Sequence, residues 1–541
     1  MTTVAEVVGS VLAELGVGHA FGVVGSGNFH VTNALRAHGV PFTPARHECG
    51  AAVMADAFAR TSGEVAVVTL HQGCGLTNAL TGITEAAKSR TPVLVLAADT
   101  GGSAVRSNFR IDQDQVSAAV GAVPERVHSP ASAVRDVLRA YTTCRGERRT
   151  VVLNVPLDVQ AAPGEPAPVR FTPPQPPRPN AAAVAELAGL LDRAERPVFI
   201  AGRGARDAGP ELAVLADACG ALLATSAVAN GLFTGHVWNL GIAGGFATDL
   251  AAELITGADL VVAWGASLTM WTTRHGALIG EDTTVVQVDD TPAALGAQRP
   301  VDLAVLGDVA ETVRDVSAAV SGGPGYRTPE IGARIAVEGR WAQVPVPDRP
   351  DDLERIDPRA LSVALDALLP AERTVAVDSG NFMGYPSAYL AVPDAAGFCF
   401  TQSFQSIGLG LATAIGAALA RPDRLPVAAL GDGGFLMGIA ELETVVRLGI
   451  GMLIVVYDDA GYGAEFHHFT GADHTAVRFP DADLAAIAAG YGAHGVTVRR
   501  VSDLDAVREW LAGPRTAPML VDAKVRADEP SWWLAEAFRG H

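Results

Sequence analysis

Lysine is almost missing from this chain. Lys88 and Lys524 are the only two in 541 residues, and arginine carries nearly all of the positive charge. Schiff-base chemistry needs a lysine amine, and a P-loop needs GxxxxGK[ST], which does not occur. Pyridoxal-phosphate enzymes, lysine aldolases and P-loop nucleotide hydrolases therefore lose most of their weight. Cysteine is sparse too: Cys49, Cys74, Cys144, Cys219 and Cys399 are odd in number and scattered, with no CxxC spacing. Neither a disulfide framework nor a zinc site is indicated, and a reducing cytoplasm fits. No apolar run reaches the roughly 18 residues of a membrane span. The opening MTTVAEVVGSVLAELGV reads as an amphipathic helix with acidic residues; it lacks a basic leader region and a cleavage site, so no signal peptide is expected. Positive charge is outweighed overall, with a net charge of −19. That argues against nucleic acid or an anionic membrane as a main partner, and solubility alone accounts for the acidity.

What the chain has in quantity is alanine, glycine and valine, at 49% hydrophobic residues. This suits buried parallel sheets. At this length more than one core is needed. Two proline-rich stretches, 161–180 and the looser 321–352, read as extended surface linkers. They leave three blocks: 1–160, 181–325 and 355–541. Each alternates short Val/Ala/Leu strands (VAVVTL, RPVFIAG, MLIVVYDD) with helical patterns. The expected fold class is α/β, with three doubly wound parallel-sheet domains.

The most informative segment is GDGGFLMGIAELETVVRLGIGMLIVVYDDAGYG, Gly431 to Gly463. It reads as strand, Gly-rich turn, amphipathic helix, strand and acidic turn, so both turns lie at the carboxyl ends of their strands, where open parallel sheets place ligands. One carboxylate on each turn suits Mg²⁺, which is typically bound by one or two carboxylates together with substrate phosphates.

This segment resembles the signature of thiamin-diphosphate-dependent enzymes, in which Gly-Asp-Gly is followed some 25 to 30 residues on by Asn. The resemblance makes Asp432, Asp459 and the carbonyl of Gly461 the metal ligands, with Asp459 standing where Asn is commoner. Gly431, Gly433, Gly434 and Tyr462 would line the cofactor. The three blocks then resemble the pyrimidine-binding, central and diphosphate-binding domains of the acetolactate synthase, pyruvate decarboxylase and benzoylformate decarboxylase group. RHECGAAVMADAFAR in the first block matches the group's glutamate motif. It implies that Glu48 hydrogen-bonds the aminopyrimidine ring and helps remove the thiazolium C2 proton. In this group the site forms between the first domain of one subunit and the third of another, so a homodimer or homotetramer is implied.

Other positions follow the same resemblance. His71, in LHQGCG, matches an active-site histidine of benzoylformate decarboxylase, and Ser26 a substrate-binding serine there; Cys74 stands where the group usually has proline. Gln115 matches a glutamine near the cofactor. Ile407, in TQSFQSIGLG, matches the bulky apolar wedge that bends the cofactor. Gly380 and Asn381 match contacts to diphosphate oxygens. Glu465 matches a catalytic glutamate of pyruvate decarboxylases, and His467 and His468 are unusual polar additions beside it.

The expected activity is decarboxylation of a 2-oxo acid, with release of an aldehyde or joining to a second carbonyl. An acetolactate synthase proper with FAD is the runner-up. AGRGARDAG, carrying Gly202, Gly204 and Gly209, resembles its nucleotide-binding part, but Ser267 stands where FAD-binding members usually have Arg, so FAD is not favoured. An NAD oxidoreductase built on the central block fits less well, because its third glycine is misplaced for G-x-G-x-x-G. A non-catalytic cofactor-binding relative would not need Glu48.

Overall fold

The structure is a computed structural model that describes residues 2–346 and 354–534. Part of the second proline-rich stretch and the end of the third block, 535–541, lie outside the described residues, as does Met1.

Valine- and alanine-rich runs bounded by Gly, Pro and Asp form three six-stranded sheets in which the strands run parallel. The first contains β1 (His19–Gly22), β2 (Phe42–Pro44), β3 (Ala66–Leu70), β4 (Val93–Asp99), β5 (Val123–Arg126) and β6 (Val151–Pro156), in the order β2-β1-β3-β4-β6-β5. The second holds β7 (Pro197–Ala201), β8 (Leu222–Thr225), β9 (Asn239–Ile242), β10 (Leu260–Trp264), β11 (Thr284–Asp289) and β12 (Leu303–Leu306), in the order β12-β11-β10-β7-β8-β9. In the third, β13 (Arg373–Val377), β14 (Phe398–Phe400), β15 (Leu425–Gly431), β16 (Leu453–Asp458), β17 (His494–Val498) and β18 (Met519–Lys524) follow the order β14-β13-β15-β16-β18-β17. Strands such as β3, β4, β7 and β16 are buried at every residue, because helices cover both faces.

The first and third sheets repeat one topology, and each chain path reverses direction across the sheet between its first and third strands. Ligands bind at such switch points, beyond the carboxyl ends of the strands. The turns after β1 and β3, and after β13 and β15, therefore mark one crevice in each of these domains. Ser26, Glu48, His71, Gly380, Asn381, Asp432 and Asp459 lie on these turns or on the neighbouring β2 and β16 turns, while Ile407 follows β14 and Gln115 follows β4.

These two domains also share one hydrophobic core, which runs from Phe21 and Met54 to Ile415 and Leu442. Its seam is the helix Glu48–Ser62 packed on the helix Gly410–Ala420. The seam is lined by alanine and glycine, and a Cβ on Gly416 would collide with the backbone of Met54. Small side chains let the two helix backbones approach closely.

The gross pattern expected between Gly431 and Gly463 is present, with one difference. The single amphipathic helix is two short ones, Asp432–Gly438 and Glu441–Arg447. Gly433 and Gly434 lie in the first turn of the former rather than in a loop before it. Three glycines in DGGFLMG give that segment poor helix propensity. The glycines are needed for fit: a Cβ on Gly433 would stand 2.5 Å from the Tyr462 ring, and one on Gly434 would stand 2.5 Å from the Asp378 carboxylate.

Among the described residues no helix is long and apolar enough to cross a membrane.

Candidate active site

The first half of the site is built at the ends of β1, β2 and β3. The short turn after β2 leads directly into the Ala-rich helix, whose first residue is Glu48; the His47 side chain caps it by accepting the Cys49 N–H. Glu48 is half-buried and accepts a 3.0 Å hydrogen bond from the Asn78 amide at Oε2. Gly75 lies beside it, close enough that a Cβ there would touch the Glu48 carboxylate at 3.7 Å. Across the same crevice, His71 Nδ1 meets the carbonyl of Gln72 at 2.9 Å. That contact puts the proton on Nδ1 and leaves Nε2 to accept from the Ser26 hydroxyl at 3.3 Å. Phe109 lies edge-on to the His71 ring, with centroids 4.9 Å apart. Glu48, His71 and Ser26 thus occupy one crevice.

Gln115 is exposed, on the helix Gln113–Ala119. The glutamine that reaches into the crevice is Gln113, which sequence reasoning passed over. Buried, it accepts the Gly73 N–H at 2.8 Å and donates to Ala98 O and to Asn154. It holds Gly73 in the left-handed region (φ +65°), where the backbone carbonyl of Phe109 would exclude any Cβ. Both glutamines stand in one IDQDQV run, and only burial separates them.

The second half lies at the ends of β13, β15 and β16. Gly380 (φ +142°) and Asn381 follow β13; the carbonyl of Asn381 accepts from Ser531 Oγ at 2.6 Å and Trp533 Nε1 at 3.0 Å. Asp378, fully buried at the end of β13, accepts the N–H groups of Gly408 and Leu409. Burial pushes its carboxyl up to about 6 against these hydrogen bonds. It thereby fixes the turn that presents Ile407, which is half-exposed and flanked by Gly408 at φ +87°.

Asp432 starts its helix at the end of β15 and is buried. The backbone N–H groups of Gly433 and Gly461 face its carboxylate and act to lower its pKa, so the two acidic turns meet. Burial, and then the Asp458 carboxylate, pushes Asp432 up to about 7; burial, Asp432 and Asp458 together raise Asp459 well above the usual carboxylate range. Two neighbouring carboxylates that resist ionising are what a divalent cation would relieve.

The donor set is all oxygen: two carboxylates and the Gly461 carbonyl. Among the described residues no group of three or more His, Cys, Asp or Glu side chains is arranged to hold a metal unaided. Oxygen donors of this kind would suit a hard cation whose remaining ligands come from a diphosphate and water. Gly463 leaves room at this point, since a Cβ there would collide with Asp459.

Beyond the loop, Glu465 is exposed on the short helix Gly463–His468. His467 has a buried Nε2 with no hydrogen-bond partner among the described residues. Burial, and then Arg478, lowers its pKa. His468 is half-buried, with its ring against Phe469.

Comparison with known proteins matches this layout. Residues 2–118 match the N-terminal TPP binding domain of thiamine pyrophosphate enzymes, 184–316 their central domain and 378–523 their C-terminal TPP binding domain. The chain belongs to the thiamine pyrophosphate enzymes. Similar members of this family include a sulfoacetaldehyde acetyltransferase of Castellaniella defragrans, 28% identical over 90% of this chain and 87% of the relative. A probable 2-ketoarginine decarboxylase of Pseudomonas aeruginosa is 29% identical over 93% and 90%. A pyruvate oxidase of Lactiplantibacillus plantarum is 26% identical over 96% and 88%.

The two crevices lie in the two TPP binding domains: Glu48 stands in the first, Asp432 and Asp459 in the second. Among the described residues, no hydrogen bond or ion pair joins Glu48 to the third sheet's domain. The two domains are clasped nearby instead. Glu441, nine residues after Asp432, is buried and accepts the N–H groups of Arg46 at 3.1 Å and His47 at 3.0 Å. A Cβ on Gly50 would collide with the Glu441 carboxylate. No sequence signal set Glu441 apart, because its partners are backbone groups almost 400 positions away.

The central sheet has strand order 3-2-1-4-5-6 when counted from its own first strand, the order of dinucleotide-binding sheets. At its switch point, however, the Gly202 turn after β7 lies backbone to backbone against Gly265 after β10, with Gly202 N–H bonded to Trp264 O at 2.8 Å. Arg203 and Arg206, in the same turn, reach away to carbonyls of Ser89 and Arg60 in the first domain.

Proposed function

We propose that this enzyme decarboxylates a 2-oxo acid with thiamin diphosphate and Mg²⁺, either releasing an aldehyde or joining the remaining carbon unit to a second carbonyl. When bound, the cofactor supplies a carbon nucleophile and an electron sink into which CO₂ can leave. Asp432, Asp459 and the Gly461 carbonyl would hold the metal, Gly380 and Asn381 the diphosphate, and Ile407 the ring region. Glu48 would hold and exchange a proton at the aminopyrimidine. The observation that carries this reading is the Asn78–Glu48 hydrogen bond. A carboxyl kept half-buried and oriented at a helix start serves proton transfer, which cofactor binding alone does not need.

On the substrate side, the tautomer of His71 suits a donor–acceptor relay with Ser26. Glu465, His467 and His468 lie past the metal loop and would manage protons on the bound substrate carbon. The names of the relatives span an acetyltransferase, a decarboxylase and an oxidase, so the panel of 2-oxo acids decides the substrate. FAD is disfavoured because the Gly202 turn is closed against Gly265 and Ser267 offers no guanidinium. Absorbance near 450 nm in the purified protein would reverse that view.

We further place the two halves of the site on different subunits of a homodimer or homotetramer. Apolar side chains stand exposed beside both crevices: Phe29 (51%), Phe109, Phe404, Leu436 and Met437 (61%). Free cysteines and an acidic surface suit a cytoplasmic location.

The test is CO₂ release from a panel of 2-oxo acids with thiamin diphosphate and Mg²⁺, comparing the wild type with Glu48→Gln and analysing products. Release that falls by about 10²–10⁴-fold in the variant supports the reading, and aldehyde or acyloin product decides between the two outcomes. Cofactor binding without release from any 2-oxo acid would overturn it.

A further inference from the structure

One of the two lysines stands beside the acidic loop. Lys524 ends β18 and is 2% exposed. Its ammonium donates to Asp458 Oδ2 at 2.6 Å, Asp481 Oδ1 at 2.6 Å and the carbonyl of Ala482 at 2.7 Å, and it lies 3.1 Å from Asp522 Oδ2. Three donors thus meet three acceptors in diverging directions, with a further carboxylate in contact. A rotating ammonium can satisfy this geometry and a planar guanidinium cannot. In a chain that otherwise uses arginine, a lysine here answers a local demand.

Asp458 immediately precedes Asp459. Its Oδ1 accepts the Ala460 N–H at 2.9 Å, which holds Ala460 at φ +58°, a left-handed conformation uncommon outside glycine. That turn sets the direction of the Asp459 side chain and of the Gly461 carbonyl. Its backbone carbonyl is tied by Val525 N–H at 2.9 Å and by Arg355 Nη1 at 3.1 Å. With one carboxylate oxygen given to the turn, Asp458 has a second, buried oxygen that needs a donor, and Lys524 supplies it.

We propose that Lys524 is a positioning residue for the metal and diphosphate loop. Through Asp458 it fixes the Asp459–Gly461 turn, and its charge offsets Asp458 so that an Asp-Asp pair can present Asp459 to a cation and a diphosphate together. The inference rests on the cofactor reading above and adds to it a residue that touches neither group. Partners one shell outside a metal's ligands typically change its affinity by about 10–100-fold.

The experiment is isothermal titration of Mg²⁺ in the presence of thiamin diphosphate, with thermal melting of the cofactor-free protein, on wild type, Lys524→Met, Lys524→Arg, Asp458→Asn and the double variant Asp458→Asn/Lys524→Met. The expected result is about tenfold or greater loss of Mg²⁺ affinity in Lys524→Met and Lys524→Arg. Substantial recovery is expected in the double variant, where Asp458 no longer carries an uncompensated charge; Asp481 and Asp522 lose the ammonium in Lys524→Met and in the double variant alike, so the difference between these two variants reads the Asp458 coupling. Equal affinity in Lys524→Met and wild type overturns the proposal. So does a double variant that binds as weakly as Lys524→Met, because Lys524 would then act independently of Asp458. If Lys524→Met does not fold, the double variant alone decides: folding with near-wild-type affinity supports the coupling, and failure to fold or bind defeats it. Absence of thiamin diphosphate uptake by the wild type would instead sink the cofactor reading itself.

Discussion

Asn78 donates to the one carboxylate on which the proposed chemistry depends, and it sits at a helix surface where little packing rests on it. A hydrogen bond to a charged group contributes about 1.5–3 kcal/mol, which corresponds to about 10–100-fold in rate if it serves only to orient Glu48. Asn78→Ala is therefore expected to lower kcat/KM by that range with little change in melting temperature. A large drop in stability with unchanged kcat/KM would show that the bond serves folding instead. His19 offers a test of acid sensitivity away from the site. It stacks on Phe21, bonds Thr43 at 2.9 Å, and burial pushes its pKa down to about 4 from 6.5. Between those values the unfolded chain binds more protons than the folded one, so stability falls as pH drops through the window, by up to about 1.4 kcal/mol per pH unit. His19→Gln should flatten the denaturation midpoint between pH 6.5 and 4, and an unchanged slope would show that other groups set it. Single residues with a fixed motif, such as Glu48 and Asp432, are legible in the sequence. Gln113, Asn78, Glu441 and Lys524 are not, because what distinguishes each is a partner far away in the chain.

At the scale of elements, the clasp on the Glu48 helix depends on one side chain and one missing side chain. Glu441 satisfies the N–H groups of Arg46 and His47, and its other oxygen accepts from Thr444. Glu441→Ala leaves two donors without a partner and should cost about 1–3 kcal/mol, read as a shift in the chemical-denaturation midpoint. Gly50→Ala places a methyl against the same carboxylate and should reproduce the loss without removing any hydrogen bond. If Gly50→Ala is neutral, the clasp is looser than described. The sequence patterns gave strands and their buried character correctly because parallel strands covered on both faces are continuous apolar runs. After the Gly-rich turn the apolar spacing suggests one continuous helix, whereas the structure has a helix Asp432–Gly438 and another from Glu441, the first ending at Gly438, where a Cβ would stand 2.9 Å from the Gly408 carbonyl.

At the scale of the whole molecule, the three domains meet around a buried ionic cluster. Arg60 pairs with Asp56 and Glu85, the Glu85 carboxylate accepts the N–H groups of Ser403 and Phe404, and Arg203 and Arg206 enter from the central domain. Removing one partner of a buried pair costs about 3–5 kcal/mol, so Arg60→Met is expected to lower stability by that amount and to loosen the cofactor-facing turn 403–407 in hydrogen exchange. The remaining question at this scale is which chains complete a site, and the arrangement of the halves makes it decidable. Glu48 and the proposed metal ligands are both present in each chain, yet the Glu48 hydrogen bond stays within the first domain, and exposed apolar side chains border both halves. If each site takes Glu48 from one copy and Asp432 from its partner, Glu48→Gln and Asp432→Asn are each inactive alone. In a twofold-symmetric dimer, however, a mixed pair of these variants contains one site with both residues intact and one with neither. Equal mixing with subunit exchange puts half of the dimers in the mixed state with one working site of two, so activity should return to about one quarter of wild type. Were each site completed within a single chain, every site in the mixture would lack one of the two residues, and no activity would return however long the subunits exchanged.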